Sequence, residues 1–250
     1  MMKRMWRRGL QWSLGAGVGI AMLAPVPAEA QISRVSSNAS ELHQAVGITV
    51  GGFFPRGEGS RVADDVLLAD LDSLAFDVKD FTGGTISGEW IVGLGDFLEA
   101  GVGAGFYQRS VPSVYRNSVN ANGSEIAQNL KLRVVPLTAT VRFLPAGRGS
   151  VEPYVGAGFG AFRWNYSEVG QFVDEFDKSI FRGRYLADGT AFGPVVLGGV
   201  RFPFGDMMDI GGEVRYQRAQ GDTKPEQSEL LGSKIDLGGW NAALTFHVRF

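Results

Sequence analysis

The sequence predicts an all-β protein, built as a transmembrane antiparallel up-and-down β-barrel of eight strands, with ten strands as the alternative. Three observations lead to this fold class. Apolar and polar residues alternate with a period of two in eight segments. The connections between these segments alternate between short and long. One face of the segments is apolar, whereas the other carries glycine and balanced numbers of acidic residues and arginines.

Composition excludes several classes of protein. The chain has 250 residues, of which 44% are hydrophobic and 20% charged, so it can bury a core and is not grossly disordered. Lysine and arginine total 24 against 26 acidic residues, and this balance argues against a nucleic-acid-binding protein, which needs a basic surface. Without cysteine the chain has no disulfide, no thiolate nucleophile and no cysteine-based metal site. We predict no cofactor.

The first thirty residues have the three zones of a secretory signal peptide. Basic residues precede a mostly apolar run over 9–23, and Ala28 and Ala30 supply the small side chains that a signal peptidase requires. The alternative is a retained membrane helix, which the polar residues and glycines within the run disfavour. We therefore predict a signal peptide at 1–30, cleaved after Ala30, then a short periplasmic segment at 31–42 and the barrel at 43–250.

The eight alternating segments share one template, with apolar residues on one face. They are 46–54, 86–94, 98–106, 135–143, 151–163, 195–204, 210–217 and 240–250. The last is the clearest, because apolar residues hold every even position from Trp240 to Phe250.

Just before the fourth segment, the apolar residues move from even-numbered to odd-numbered positions. Leu130 and Leu132 do not share the parity of the apolar residues that follow Val134. We therefore predict a β-bulge near Val134 and Val135, beside Pro136.

The connections support a membrane barrel independently of the alternation. Three are short and rich in turn residues, at 95–97, 146–149 and 205–208. Four are long and carry most of the acidic residues, at 55–84, 108–129, 165–190 and 219–236. Short turns on one rim and long loops on the other are typical of transmembrane β-barrels. We expect the long loops to be extracellular and to offer a surface to a partner.

Loop 55–84 leaves two alternatives open. Leu67, Leu71 and Leu74 have the spacing of a short amphipathic helix. Leu74, Phe76 and Val78 instead alternate as a strand would, and a further hairpin here would give ten strands.

Alternation alone does not distinguish a membrane barrel from a soluble barrel, so the content of the two faces decides. Glycine on the polar face suits the crowded interior of an eight-stranded barrel, whereas on the exterior of a soluble barrel it would only weaken the strands. We expect the charged residues of this face to pair inside the lumen. They are Glu89, Glu99, Glu152, Glu213, Arg142, Arg201, Arg215 and Arg249.

Aromatic residues near the strand ends predict an interfacial girdle on the lipid-facing side. They are Phe54, Phe106, Phe143, Phe202, Phe204, Tyr216 and Trp240, with Phe250 at the final position. Arg163 and Arg218 share the parity of the apolar face. Because a guanidinium at mid-membrane would cost about 2 to 4 kcal/mol, we expect both to lie beyond the apolar band.

The chain resembles the small outer-membrane β-barrel family of Gram-negative bacteria, which includes the OmpA and OmpX types. The resemblance covers about 43–250 and rests on the PYVGAG segment at 153–158 and the closing strand LTFHVRF at 244–250. It implies a location in the outer membrane and contact with outer-membrane lipids. It also gives Phe250 a part in the signal that the barrel-assembly machinery reads.

Groups that could carry chemistry are few. His43 and His247 fall at the predicted short-turn rim, whereas hydrolases of this architecture act at the long-loop end, so we assign them no catalytic or metal-binding role. The acidic pairs Asp64-Asp65 and Asp174-Glu175 are predicted to be solvated charges and not cation ligands. We predict no catalytic residue and no metal site.

The sequence thus predicts an integral outer-membrane barrel with a plugged lumen and no enzymatic activity, which has a structural or surface-interaction role through its long loops. One alternative is a narrow pore for small or apolar solutes. The other is an outer-membrane lipid hydrolase or protease.

Overall fold

A computed structural model describes residues 43–174, 176–224 and 230–250. These residues belong to one compact unit. The predicted signal peptide at 1–30 and the segment at 31–42 lie outside the described residues, as does Glu175.

Eight antiparallel strands close into a barrel, which confirms the predicted fold class. They are β1 (Gln44–Pro55), β2 (Gly83–Gly93), β3 (Leu98–Val119), β4 (Glu125–Phe143), β5 (Glu152–Val173), β6 (Ile180–Phe204), β7 (Met208–Gln217) and β10 (Gly239–Arg249). Two further short strands, β8 (Gln220–Asp222) and β9 (Lys234–Asp236), pair only with each other. The barrel therefore has eight strands and not ten.

The strands are staggered around the barrel. Following direct register partners once round from Trp240 on β10 leads back to the same strand at Phe250, a shift of ten residues. A shift of this kind is what tilts strands relative to the barrel axis.

Short turns join β2 to β3, β4 to β5 and β6 to β7, all on one rim. Gly95 and Gly205 hold positive φ angles of 99° and 66° in two of them, a conformation that glycine adopts without strain. The predicted short-turn rim is therefore where the sequence indicated.

Two of the predicted long loops are wrong in their bounds. Most of 108–129 and 165–190 is strand. On the side opposite the short turns, β3 to β6 extend well beyond the ends of the other four barrel strands. The real connections are 120–124 and 174–179. These four strands form a tall wall, whereas β1, β2, β7 and β10 end lower.

The predicted bulge near Val134 and Val135 is also wrong. The register between β4 and β5 runs unbroken through this region, with Val134 opposite Trp164 and Val135 opposite Arg163. The parity changes because the polarity of the two faces inverts along one regular strand. Between this point and the short turns, the apolar side chains of β4 face outward. Beyond it, toward the opposite end of the barrel, they face inward.

The inward-facing apolar residues of the tall wall build a hydrophobic core, here called the outer core. The wall contributes Tyr107, Val111, Leu130, Leu132, Val134, Phe162, Trp164, Tyr166, Ala187, Ala191 and Val195. Segments 56–82, 218–224 and 230–238 fold inward and complete it with Val66, Leu67, Leu74, Phe76, Val78, Phe81, Ala219, Leu230, Ile235 and Leu237. The outer half of the barrel is therefore built like a soluble domain, with an apolar inside and a polar outside.

Segment 56–82 forms a helix and not a hairpin. Helix α1 (Val66–Leu71) buries Val66 and Leu67, and single 3₁₀ turns occupy Glu58–Ser60 and Val78–Phe81. Leu74 lies beyond the end of α1 and pairs with Tyr115 of β3. Among the described residues, no helix has the length and hydropathy needed to cross a membrane.

Candidate functional site

The exterior of the short-turn half is an apolar belt. Even-numbered residues of β10 and odd-numbered residues of the lower parts of β4 and β5 point outward, and Leu244 is 69% exposed. The predicted girdle aromatics lie on this exterior, and six of the seven are 44% to 53% exposed while Tyr216 stacks beside Trp240 with ring centroids 4.8 Å apart. A closed barrel with this exterior must lie in lipid, since water would make so large an apolar surface costly.

Inside the belt, the lumen holds a cluster of charged side chains, here called the lumenal charge cluster. It contains all eight residues that the sequence indicated: Glu89, Glu99, Glu152, Glu213, Arg142, Arg201, Arg215 and Arg249. It also contains three that the sequence analysis missed: Arg148, Asp209 and His247. Five carboxylates thus face five guanidiniums and one imidazole.

Arg142 lies at the centre of one half of the cluster. Its Nη2 is 2.5 Å from Glu89 Oε2 and 3.2 Å from Glu213 Oε2, and its side chain is fully buried. Arg215 binds the other oxygen of Glu213 at 2.8 Å. Tyr154 completes this group, since its hydroxyl donates to Glu213 at 3.0 Å and its ring lies 5.2 Å below the Arg142 guanidinium.

Arg201 and Arg249 organise the other half. Arg201 Nη2 donates to both oxygens of Glu99, at 2.8 and 2.9 Å, and lies 3.4 Å from Glu152. Arg249 binds Glu152 through both terminal nitrogens, at 2.7 and 3.1 Å, and donates from Nε to Asp209 at 2.9 Å. Bidentate pairing of this kind fixes geometry as well as adding attraction.

His247 links the two halves. Its Nδ1 lies 2.6 Å from Asp209 Oδ1 and its Nε2 lies 2.9 Å from Glu89 Oε1. A Cβ on Gly47 would lie 2.0 Å from the His247 ring, so only glycine at this position leaves room for the imidazole. His43, in contrast, is exposed just before β1, four residues from Gly47, which lies opposite His247.

The three missed residues differ in how easily the sequence could have revealed them. Asp209 and His247 share the odd parity of Glu213 and Arg249, so a longer seventh segment would have included Asp209. Arg148 lies in a short turn, where no alternation signals direction.

A cavity of about 60 Å³ lies between the charge cluster and the outer core. Glu89, Glu213 and Arg215 line it on the cluster side, and Phe53, Tyr107 and Val134 line it on the core side. This volume is enough for a few water molecules. The described residues contain no group of three or more His, Asp or Glu side chains arranged to hold a metal ion.

The outer core contains a second, smaller polar group. Tyr166 donates a hydrogen bond to Asp70 of α1 at 2.8 Å, and the buried carboxyl of Glu168 interacts electrostatically with Asp70. Burial raises the pKa of Asp70 to about 7 and the pKa of Glu168 to about 9. One of these carboxyls is therefore protonated at neutral pH, which allows two acids to share a buried site.

Asp64 and Asp65 do not act as the solvated pair that the sequence suggested. Asp65 is completely buried and forms an ion pair with Arg61, while its other oxygen accepts from the backbone of Asp236 at 2.9 Å. Asp64 accepts from the backbone N–H of Ser233 at 3.1 Å. Both residues thus tie segment 56–82 to segment 230–238.

Comparisons with known proteins find similar chains among solved structures alone. No family model and no curated protein matches the chain. Solved structures do match. Neisserial surface protein A is 12% identical, with a TM-score of 0.47, over 83% of this chain and 97% of that one. The N-terminal β-barrel domain of Pseudomonas aeruginosa OprF is 12% identical, with a TM-score of 0.38 and the same two coverages.

A third match is the outer membrane protease OmpT of Escherichia coli, at 10% identity, a TM-score of 0.41 and coverage of 87% of this chain and 99% of that one. A closed barrel, short turns on one rim and an apolar belt place this chain in a membrane. The fold is that of a small outer-membrane β-barrel. The predicted resemblance is confirmed at this level.

Proposed function

We propose that this outer-membrane barrel has a closed lumen and no enzymatic activity, and that it serves as a surface-interaction protein through its outer half. The proposal rests on one observation: two separate groups of side chains, here called the two fillings, occupy the barrel interior one after the other along its axis. The lumenal charge cluster occupies the half within the belt, and the outer core occupies the half above it.

The charge cluster supports closure because its members hold each other in place. Arg142, Glu99 and Glu152 have side chains 0% to 2% exposed, so these charges depend on one another for stabilisation. An ion crossing the lumen would have to separate pairs that are in direct contact.

The outer core supports closure for a different reason. Segments 56–82, 218–224 and 230–238 fold into the mouth of the barrel, and they bury Leu67, Phe81 and Ile235 to 1% exposure or less. Their burial removes apolar surface from water, which favours the closed arrangement.

The same inward folding leaves the tips of the tall wall as the surface for a partner. Connections 120–124 and 174–179 lie at the ends of β3 to β6, and Phe176 is 98% exposed there. An exposed aromatic at a loop tip is a common feature of binding surfaces. We therefore assign the interaction role to the wall tips more than to the inward-folded segments.

Planar-bilayer recording tests the closed lumen. The purified full-length protein is expected to give no steady current, whereas a steady current at modest voltage would support the narrow pore and its aqueous cavity.

Exchanging 120–124 and 174–179 for unrelated turns tests the interaction role, because these exchanges should abolish surface-attachment phenotypes while leaving the folded barrel in the membrane. Unchanged phenotypes would contradict that part.

A hydrolase receives less support. His247 and Asp209 are in contact, but both are fully buried in the lumen. Within the described part of the chain, the side chains bonded to His247 are the carboxylates of Asp209 and Glu89, with no serine or threonine among them. His247→Asn separates the cases. We expect no lipid deacylation or peptide cleavage from the native protein, and an activity that disappears in this variant would contradict the proposal.

A further inference from the structure

The wall carries a pocket on its outer surface, immediately above the apolar belt. It is here called the basic rim pocket and is lined by Phe106, Arg133, Val135, Arg163, Trp164, Asn165 and Asp188. It lies outside the lumen, because Arg133 and Arg163 are exposed on the outward face while Trp164 points inward and is 1% exposed.

The height of this pocket follows from the strands that carry it. On β4 the outward side chains from Phe143 up to Val135 are apolar, and Arg133 is the first charged one. On β5 the outward face is likewise uncharged up to Ala161, and Arg163 comes next. Ten residues of tilted strand rise about 25 Å, which is the height of the apolar band of a membrane barrel. Both guanidiniums therefore lie at the level of lipid head groups.

Register places the two arginines side by side. Arg163 is opposite Val135 on β4, and Arg133 is opposite Asn165 on β5, so the arginines are diagonal neighbours on one face. Among the described residues neither forms an ion pair with a carboxylate, although Asp188 is opposite Asn165 on β6 and lines the same pocket. Lys131 follows Arg133 on the same face of β4.

The lower edge of the pocket is apolar. Phe106 is 45% exposed and belongs to the belt, and Val135 lies beside it. Direct pairing between β3 and β4 is interrupted at Gly105 and Phe106, opposite Val135 and Pro136, because proline has no N–H to donate. The pocket thus combines an apolar edge toward the membrane with two unpaired guanidiniums toward water.

We propose that the basic rim pocket binds the phosphate group of an outer-leaflet glycolipid. Guanidiniums bind phosphate oxygens with two parallel hydrogen bonds, and acyl chains of the same molecule would run down the belt past Phe106 and Val135. This inference rests on the proposed membrane orientation, with the wall on the outer side.

The test measures binding of diphosphorylated lipid A to the full-length protein in detergent micelles by calorimetry, without divalent cations. The double variant Arg133→Ser/Arg163→Ser should weaken the affinity at least about tenfold, since each charge-assisted pair contributes substantially. The matched control is Arg182→Ser/Arg184→Ser, which removes the same charge from exposed positions higher on β6. The control should change the affinity less than about twofold.

Further arms identify the ligand. Lipid A without phosphate should bind weakly to every variant, and millimolar inorganic phosphate should not displace the lipid. Asp188→Asn should tighten binding, because it removes the carboxylate nearest the arginines in the pocket.

Several results would overturn the inference. These are equal losses in the double variant and its control, undiminished binding in the double variant, displacement by inorganic phosphate, and weaker binding after Asp188→Asn. Heat-modifiable gel migration and membrane fractionation report separately on folding and location. Failure of these two would instead count against the proposed function.

Discussion

At the scale of single residues, the lumen depends on charges that have little contact with water. Arg142 has two acidic partners and a side chain that is 0% exposed. Removing one partner of a buried ion pair leaves the others uncompensated, and this is more damaging than replacing the whole group.

Arg142→Met should therefore lower the free energy of unfolding by about 3 to 5 kcal/mol, measured by urea unfolding in detergent micelles. Arg215→Met is the control, because the Arg215 side chain is 17% exposed and its loss leaves Arg142 on Glu213. Adding Glu89→Gln to Arg142→Met should recover part of the loss. Equal effects of the two single variants would show that burial does not govern the cost.

Gly47 tests the space around His247. Gly47→Ala places a methyl 2.0 Å from the imidazole ring and should cost about 1 to 3 kcal/mol of unfolding free energy in the same assay. Gly52→Ala on the same strand is the control, since its nearest atoms are 3.5 Å away. The cost of Gly47→Ala should shrink in a His247→Ala background, and a cost that persists would point to the backbone instead.

Asp70 and Glu168 make the outer core sensitive to pH. Their folded pKa values, about 7 and about 9, lie above the ordinary values of 3.8 and 4.5, so the folded protein binds more protons than the unfolded chain between these limits. The free energy of opening should therefore fall as pH rises from about 4 to about 9.

Hydrogen exchange of the α1 amides, corrected for intrinsic rates, measures this slope. Asp70→Asn should reduce it and Asp70→Asn/Glu168→Gln should abolish it, because burial raises the pKa of Glu168 even without Asp70. Asp72→Asn, at an exposed position just after α1, should leave it unchanged. A slope that survives the double variant would exclude the carboxyl pair as its cause.

At the scale of elements, β4 shows both the reach and the limit of sequence reasoning. Alternation fixed its lower part, because side-chain direction in a strand depends only on position. The upper part was predicted to be loop after a bulge, because the inward residues there are apolar and the outward ones polar. The two faces invert because the surroundings of the barrel change from lipid to water. The local sequence pattern does not indicate where that change occurs.

The lumenal charge residues were accessible from parity for the same reason, whereas Arg148 lies in a turn and was not. The outer core was beyond prediction. It joins Leu67 of α1 with Trp164 of β5 and Ile235 of β9, and such contacts depend on how distant segments fold back.

Helix α1 offers a test of the outer core as an element. Leu67→Ala should loosen segment 56–82 by about 2 to 5 kcal/mol, because Leu67 is 1% exposed, and should increase its cleavage by a protease while the barrel stays intact. Leu68→Ala, at a half-buried neighbour, should have a smaller effect. If the barrel unfolded together with the segment, the outer core and the belt would form one cooperative unit.

At the scale of the whole molecule, the two fillings predict a particular conductance pattern. Replacing 57–82 with a short turn opens only the outer half, and Arg201→Ala loosens only the charge cluster. Each change alone should give no steady current in planar bilayers, and the combination should give one. A current from either single change would show that the filling removed by that change closes the lumen and that the remaining filling does not.

The pairing of β1 with β10, which closes the barrel, has a consequence for its biogenesis. Gln44 and Phe250 exchange two backbone hydrogen bonds, at 3.2 and 2.9 Å, so the earliest strand meets the latest. Until β10 has been made, β1 keeps a bare edge of amide and carbonyl groups that could template aggregation. Closure of the barrel therefore cannot precede the synthesis of β10, and any delay between the two leaves β1 open to pairing with other chains.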